Sequence, residues 1–351
     1  MSAMLRLRLP AISFLLLLAG FAPSGFAKNW YVSASSGSDS NEGTSAKPFK
    51  TIQKAVTSCS DGDLILVGPG TYKETADSVG AVYNSNGRSA TVRSTDGPLV
   101  TIIDADGQRR VAKGTNTAHQ NDWMDHCLLF DGFTLQNGLH QDTGGVAWTK
   151  LRKCIVKGTS LNSKVVLHTV RMDNCLVIGN RALQCLVRNS TAFNCTFSNN
   201  GGFDGSGAVF SDSVLANCVV FGNETGSASL VSSSFSATNS FAEVVLPGSN
   251  NGVLSESPFV DAAAGVYRLR PESPCVDAGA NELVPTNYDL RGSRRIVNGI
   301  VDAGCYEYRE PVTWHVDAAS GNDSNDGLSW SAAKKSIQST VDEAIDGTRF
   351  S

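Results

Sequence analysis

The sequence predicts an all-β solenoid, in which short strands wind into the stacked coils of a parallel β-helix. The first observation is a short sequence motif that recurs at nearly constant spacing. Its equivalent positions contain Cys154, Cys175, Cys195 and Cys218. A period of about 20 residues is typical of a solenoid whose repeats are single coils. The second observation is composition. The 34 glycines and the low charged fraction of 18%, with abundant Ser, Asn, Thr and Val, suit short strands joined by tight turns.

Residues 1–27 have the pattern of a signal peptide. Arg6 and Arg8 precede an apolar run at 12–19, and residues 25–27 offer small side chains at the cleavage positions. The apolar run is too short to favour a membrane span. We therefore expect an exported protein, secreted or at the cell surface, with no membrane span after signal removal. A retained membrane anchor is the alternative.

The net charge restricts the partners. A formal charge of −4 argues against nucleic acid and against an anionic membrane as electrostatic partners. It leaves open an acidic polysaccharide or cell-surface glycan, held by a local basic patch or through bridging Ca²⁺. No further cofactor is indicated.

Residues 28 to 63 are predicted to form an N-terminal cap. A short strand at 30–32 precedes residues 48–59, where apolar side chains recur at helical spacing after a proline. A strand is predicted at 64–67. An amphipathic helix at this place would cover the open end of the stacked coils.

Residues 31–72 resemble a known family. The segments Gly37-Ser38-Asp39-Ser40-Asn41-Glu42-Gly43, Pro48-Phe49-Lys50-Thr51-Ile52-Gln53-Lys54-Ala55 and Pro69-Gly70-Thr71-Tyr72 are similar to the N-terminal signature of secreted right-handed parallel β-helix proteins with the pectate-lyase-like fold. That group includes the family-nine pectate lyases. The resemblance implies a right-handed single-stranded parallel β-helix over residues 28–245, with an N-terminal capping helix. It does not imply an activity, because catalytic and non-catalytic members share the signature.

The regular coils predict two columns of structural side chains. Alternation with a period of two places the cysteines on one face of their strands, and Leu176, Thr196 and Val219 on the other. Asparagines at the corners tolerate a left-handed backbone, and their amides can bond to neighbouring coils. We favour buried thiols over disulfides, although adjacent coils are close enough for bridges. The predicted structural ladder comprises Cys154, Cys175, Cys195, Cys218, Asn174, Asn194 and Asn217.

The repeats fade after Ser240, and residues 246–310 resemble another family. The two Val-Asp-Ala-Gly turns at 276–279 and 301–304, with Asp289-Leu290-Arg291-Gly292, are similar to the "choice-of-anchor Q" domain of secreted bacterial proteins. The resemblance implies a position after a β-helix and, usually, before a surface-sorting signal. Cys275 and Cys305 could form a disulfide. A structural polar network is expected from Asp277, Asp302, Arg291 and Arg295.

The tail, residues 311–351, repeats the cap at a nearly constant offset in the sequence. The loop at 320–327 corresponds to that at 36–43, and the pattern stops where the first copy begins its strand. We expect a truncated second copy of the cap. A tandem β-helix domain beyond Ser351, or loss of such a domain, would account for it.

Two loops contain candidate metal ligands. Asp39 and Asn41 lie in a loop of alternating oxygen side chains before a glycine, a pattern that can bind calcium or form an Asx turn. The segment 122–126 superficially resembles the Trp-Ile-Asp-His motif of family-one pectate lyases, in which the aspartate binds calcium. Asp125 is therefore the third weak candidate ligand, and a plain loop is the alternative.

No catalytic or carbohydrate-binding residue is assigned from the sequence. A calcium-assisted lyase needs several acids and a basic side chain on one outward face, and only scattered candidates occur. The favoured function is a non-catalytic glycan-binding, adhesin or stalk-like module; the alternative is a polysaccharide lyase that acts on uronic-acid polymers by β-elimination. The scattered candidates are Asp131, Asp142, Asp173, Asp204, Asp212, Lys150, Lys153, Lys157 and Lys164.

Overall fold

The computed structural model describes residues 27–74, 80–114, 123–203, 208–225, 229–310, 313–343 and 349–350. The expected signal peptide lies outside the described residues, except for Ala27. Within the described part of the chain, no helix has both the length and the apolarity that a membrane crossing requires.

The predicted right-handed parallel β-helix is confirmed. Its strands form three parallel faces, numbered here in the order in which a coil visits them. The first face contains Asn29–Val32, Leu64–Val67, Thr91–Ser94, Leu129–Asp131, the second halves of Thr143–Arg152 and Val165–Asp173, Thr191–Phe193, Val214–Ala216, Ser236–Thr238 and Gly248–Ser249. The second face contains Gly70–Tyr72, Thr101–Asp104, Thr134–Gln136, Ile155–Lys157, Leu176–Ile178, Thr196–Ser198, Val219–Phe221, Phe241–Ala242 and Gly252–Val253. The third face contains Val82–Tyr83, Ala112–Lys113, the first halves of the two long strands, Cys185–Arg188, Ala208–Ser211 and Ser229–Val231.

Each coil turns at corners where one residue adopts a left-handed backbone. Asparagine suits these positions, because its short polar side chain tolerates a positive φ better than most residues. The corner between the first and second faces, called here the first corner, contains Gly132, Lys153, Asn174, Asn194, Asn217 and Asn239. The corner between the third and first faces contains Trp148, Thr169, Asn189 and Asp212.

The interior of the coils contains a column of cysteines and a column of asparagines. All four repeat cysteines are buried free thiols, and the backbone N–H of Cys175 donates to Sγ of Cys195 at 3.3 Å. The amides that bond from coil to coil are those of Asn180, Asn200 and Asn223, at distances of 2.9 and 3.0 Å.

The amides of the first corner bond elsewhere, which corrects the expectation that they link neighbouring coils. They point outward and hold the C-terminal segment, residues 254–308. Asn174 Nδ2 donates to Thr286 Oγ1 at 2.7 Å, and Asn194 Nδ2 donates to the carbonyl of Asp302 at 3.1 Å.

The C-terminal segment packs on the outer side of the second face. Leu176 and Val219, predicted to point away from the cysteines, form a second apolar core with Phe259, Leu269 and other residues of this segment. Cys275 and Cys305 are both buried in this core as free thiols. The segment contains the antiparallel pairs Phe259–Asp261 with Val266–Leu269 and Ile296–Val297 with Ile300–Val301, and the 3₁₀ turn Asn281–Leu283.

The expected polar network of the C-terminal segment has a different membership. The guanidinium of Arg295 is buried and donates to the carbonyls of Asp302 and Gly304, both at 2.8 Å. The Asp302 carboxylate accepts from the backbone N–H of Asp277 at 2.7 Å. Arg291 instead lines a cavity that is described below.

The N-terminal cap contains the helix Ile52–Ser58, which is shorter than the predicted segment. The Asp39 carboxylate accepts from the backbone N–H groups of Lys50 and Thr51, both at 2.9 Å. These bonds hold the chain before Ile52 in extended form, so the helix begins there with Thr51 as its N-cap.

The tail repeats this geometry. Asp323 Oδ1 accepts from the backbone N–H groups of Lys335 and Ser336, as Asp39 does in the first copy. The tail contains the strand Thr313–Trp314, the 3₁₀ turn Trp330–Ala332, the helix Ile337–Glu343 and the strand Arg349–Phe350, and its two strands pair in parallel. The equivalent helix positions differ in burial: Ile52 is 0% exposed and Ile337 is 68% exposed.

This difference predicts opposite results for the same substitution in the two copies. Ile52→Ala should cost about 2–4 kcal/mol of unfolding free energy, because it leaves a cavity under the cap. Ile337→Ala should change it by less than about 0.5 kcal/mol. Chemical denaturation followed by circular dichroism measures both, and equal losses would contradict the assigned burial.

Candidate functional site

A cleft of about 470 Å³ lies on the outer side of the third face. Its floor is a column of residues in register on adjacent coils: Lys113, Ala147, His168 and Arg188. Each follows a buried apolar residue of its own strand, so the column faces outward. Adjacent coils are spaced by roughly 4.8 Å, so the three polar side chains follow the axis of the β-helix.

One wall of the cleft comes from the turns that precede these strands. Asp142 lies between two cations, with its carboxylate oxygens 3.9 Å from Lys164 Nζ and 4.0 Å from Arg110 NH2. Gln184 completes this wall. Lys164 is exposed, so a ligand in the cleft can reach it, whereas Arg110 is buried behind the wall.

Trp148 forms the opposite edge of the cleft, at the corner between the third and first faces. Its φ of 58° is unusual for a bulky residue and costs free energy, which points to a functional constraint. Its ring lies 6.1 Å from the imidazole of His168 in an edge-to-face arrangement. Gly114 permits this corner, because a Cβ there would lie 2.0 Å from the Trp148 carbonyl oxygen.

The cleft is positively charged although the whole chain is acidic. Burial, and then the charges of Arg188 and Arg110, lower the pKa of His168 below its ordinary value. Among the residues that line the cleft, Asp142 is the one carboxylate beside four cations. The four cations are Arg110, Lys113, Lys164 and Arg188.

This arrangement is suited to a chain of acidic sugars. Carboxylates form their strongest hydrogen bonds with guanidinium and ammonium groups, and an indole ring offers apolar surface to the face of a sugar ring. A row of cations along the axis can hold carboxylates that repeat along a polymer.

The candidate metal ligands do not fit a calcium site. Both carboxylate oxygens of Asp39 are occupied, because Oδ2 accepts from Thr51 Oγ1 at 2.8 Å while Oδ1 accepts from the backbone N–H groups of Lys50 and Thr51. The amide of Asn41 donates to the carbonyl of Pro48. Asp125 is exposed on a 3₁₀ turn. No group of three potential metal ligands occurs within the described ranges.

The structure brings two pairs of the scattered acids and lysines together and separates the others; Asp131 and Lys153 lie 3.6 Å apart at the first corner. Asp142 and Lys164 come together in the cleft, whereas Lys157 is exposed on the second face and Asp212 lies at a corner. Lys150 lies on the first face. Asp204 lies outside the described residues.

The first face has a ladder of alternating charges that the sequence analysis did not find. Arg93, Asp131, Arg152 and Asp173 are in register on four adjacent coils. Arg93 Nε lies 3.1 Å from Asp131 Oδ2, and Arg171 Nε lies 3.3 Å from Asp173 Oδ1. Burial raises the pKa of Asp173 to about 6. Since the ladder largely neutralises itself, we interpret it as a structural network.

Sequence analysis also missed the residues of the cleft floor. His168 and Arg188 are separated by one coil period, so aligning the coils at their cysteines would have placed them in one column. Lys113 had no such signal, because its coil differs in length from the regular coils.

The chain was compared with family models, curated proteins and solved structures. A family model described as "Protein of unknown function (DUF1565)" matches residues 35–82, and no curated protein matches the chain significantly. Pectate lyase Pel9A is similar at 16% identity, over 80% of this chain and 96% of that one, with a TM-score of 0.37. Pectin methylesterase PemA from Erwinia chrysanthemi is similar at 13% identity, over 62% and 71%, with a TM-score of 0.33. XylC in complex with xylose is similar at 9% identity, over 64% and 67%, with a TM-score of 0.39.

No activity follows from these similarities. The parallel sheets of the structure by themselves show the parallel β-helix fold that the sequence predicted.

Proposed function

We propose that the protein is exported and binds an acidic polysaccharide, without chemical conversion, in the third-face cleft. The observation that carries this proposal is the row of cations beside Trp148 in a protein of net charge −4. A polymer with one carboxylate per sugar can place its carboxylates at cations spaced along the axis, with Lys113 and Arg188 at the two ends of the floor and Lys164 on the wall.

Binding measurements with matched ligands test the proposal. Calorimetry should show saturable binding of an oligogalacturonate, and much weaker binding of a neutral oligosaccharide of equal length. The affinity should fall as salt is added, because exposed charge pairs are screened over about 8 Å at physiological ionic strength. Equal affinity for the neutral ligand would refute the proposal.

A polysaccharide lyase is the alternative function. The cleft contains basic side chains, among them Lys164 and the neutral His168, that could remove a proton next to a uronate carboxylate. The cleft does not favour calcium assistance, because calcium takes about 6–8 oxygen ligands. Among the lining residues, Asp142 supplies the one carboxylate. Unsaturated products absorbing near roughly 235 nm, after incubation with polygalacturonate and calcium, would establish the lyase.

The lowered pKa of His168 predicts a pH dependence of binding. Arg188 and Arg110 disfavour the imidazolium, Asp142 favours it, and the neighbouring Asn189 is neutral. An anionic ligand raises this pKa, so binding takes up a proton. The affinity should therefore rise about threefold to tenfold as the pH falls from about 8 to about 5.5.

Calorimetry across this pH range checks the prediction. His168→Gln should flatten the profile while keeping most of the affinity at neutral pH. A profile that remains equally steep in this variant would assign the pH dependence to another group.

We also propose that the tail begins a second parallel β-helix, and that the chain acts at the cell surface. Supporting the first point, Ile337 and Val341 are exposed where Ile52 and Val56 are buried under the first coil. Supporting the second are the signal-peptide pattern of residues 1–27 and the anchor-domain resemblance of residues 246–310. Fractionating cells that express the chain with and without residues 1–27 tests export.

A further inference from the structure

A second cavity, of about 380 Å³, lies between the β-helix and the C-terminal segment. Its walls are the turn at 95–99, Gly132 and Lys153 of the first corner, and Leu290–Gly292 with Tyr306 from the C-terminal segment. It shares no lining residue with the third-face cleft. Small-molecule sites occur preferentially at such junctions between structural units.

The cavity opens where the first corner changes its residue type. Farther along the β-helix, asparagines at this corner hold the C-terminal segment directly. Gly132 has no side chain to do so, and Lys153 turns toward Asp131 instead. Lys153 keeps the left-handed φ of 47°, a conformation that is costly for lysine. Lys153 is thus the residue of the first corner that combines a strained backbone with a positive charge in the cavity wall.

Asp131 lies in the wall of this cavity as a buried carboxylate. The residue is 4% exposed, and its Oδ2 pairs with Arg93 Nε at 3.1 Å. Its Oδ1 is buried and accepts no hydrogen bond, with Lys153 Nζ 3.6 Å away. Oδ1 has almost no accessible surface, so Asp131 acts in the cavity as a fixed charge that positions Arg93 and Lys153.

We infer that this cavity binds a single sugar acid, such as a free hexuronate. A sugar acid has a carboxylate that the cations of the cavity can hold and hydroxyl groups that can bond to the polar groups of its walls. The charged lining residues are Arg93, Lys153, Arg291, Asp96 and Asp131, so the site has one positive charge in excess. That excess matches one ligand carboxylate.

The remaining walls fit the apolar face of a sugar. Leu99 is 81% exposed at the mouth of the cavity, next to Pro98, whose carbonyl accepts from Thr134 Oγ1 at 2.7 Å. The turn is held further by Ser94 Oγ, which accepts from the backbone N–H of Gly97 at 2.8 Å. The volume lies within the usual range of small-ligand sites, about 300–1,000 Å³, and suits one sugar better than a chain.

Calorimetry with free glucuronate and galacturonate tests the inference, with glucose as the neutral ligand. Leu99→Glu places a negative charge at the mouth of the cavity without disturbing the core, and should weaken binding of the sugar acid at least about tenfold. Val245→Glu is the matched control, because Val245 is 80% exposed, does not line the cavity, and changes the net charge equally.

This test of the cavity can be distinguished from the test of the third-face cleft. The double variant Lys113→Glu, Arg188→Glu should bind the free sugar acid as the unmodified protein does. Absence of saturable binding, glucose binding as tight as that of the acids, or equal binding by Leu99→Glu and Val245→Glu would overturn the inference. The inference would also be overturned if only the double variant Lys113→Glu, Arg188→Glu lost binding of the sugar acid.

Discussion

Replacing both Lys113 and Arg188 by glutamate is expected to weaken binding of an oligogalacturonate at least about 100-fold. Hydrogen bonds to charged groups contribute roughly 1.5–3 kcal/mol each, and two would be lost. The new carboxylates would also repel those of the ligand. Because Lys113 and Arg188 lie at the two ends of the cleft floor, every position of a bound chain would be affected. Calorimetry or equilibrium dialysis measures the change.

A second double variant controls for net charge. Lys157→Glu with Lys335→Glu changes the charge of the chain by the same amount, and both lysines are exposed outside the cleft. This variant should bind within about threefold of the unmodified protein, because screening limits long-range effects. If the two double variants lost affinity equally, the cleft would not be the binding site.

Asn200→Ala is expected to lower the unfolding free energy by about 3–5 kcal/mol, as the sum of several lost bonds. The side chain is 1% exposed. Its Nδ2 donates to the carbonyls of Val177 and Ser198 and to Asn223 Oδ1, at 2.9 to 3.0 Å. Its Oδ1 accepts from both the backbone N–H and Nδ2 of Asn180. Alanine would leave several of these groups buried without partners, and the melting temperature should fall clearly.

Asn199→Gly provides the matched comparison one position earlier. Glycine keeps the left-handed backbone of Asn199, which has a φ of 54°. The side chain's hydrogen bond to the Tyr267 hydroxyl, at 2.8 Å, would be lost. This variant should lose about 1 kcal/mol. An Asn200→Ala variant no less stable than Asn199→Gly would contradict the role of the buried ladder.

The fold was predictable because the stacked coils place similar side chains at equivalent positions, so the coil period can be read from the sequence. Cys175 and Cys195 face the same narrow interior, so their spacing reports the length of one coil. The docking of the C-terminal segment was not predictable in the same way. Leu176 and Val219 show only that the outer side of the second face is apolar, and a sequence does not say which segment covers it.

The cleft was harder to predict than the coils. Its wall comes from turns, where Arg110 and Asp142 have no periodic relation, and its floor begins in coils of irregular length. The strained Trp148 looks like any other tryptophan in the sequence, because its φ is set by the corner geometry. Sites of this kind depend on lateral stacking, which places residues of distant coils side by side.

The most direct test of the proposed function is a crystal structure of the protein with a bound oligogalacturonate. The expected result is a chain of sugars along the third face, with one ring against Trp148 and carboxylates at Lys113 and Arg188. A chain bound over the charge ladder of the first face, with the third-face cleft empty, would contradict the proposed function.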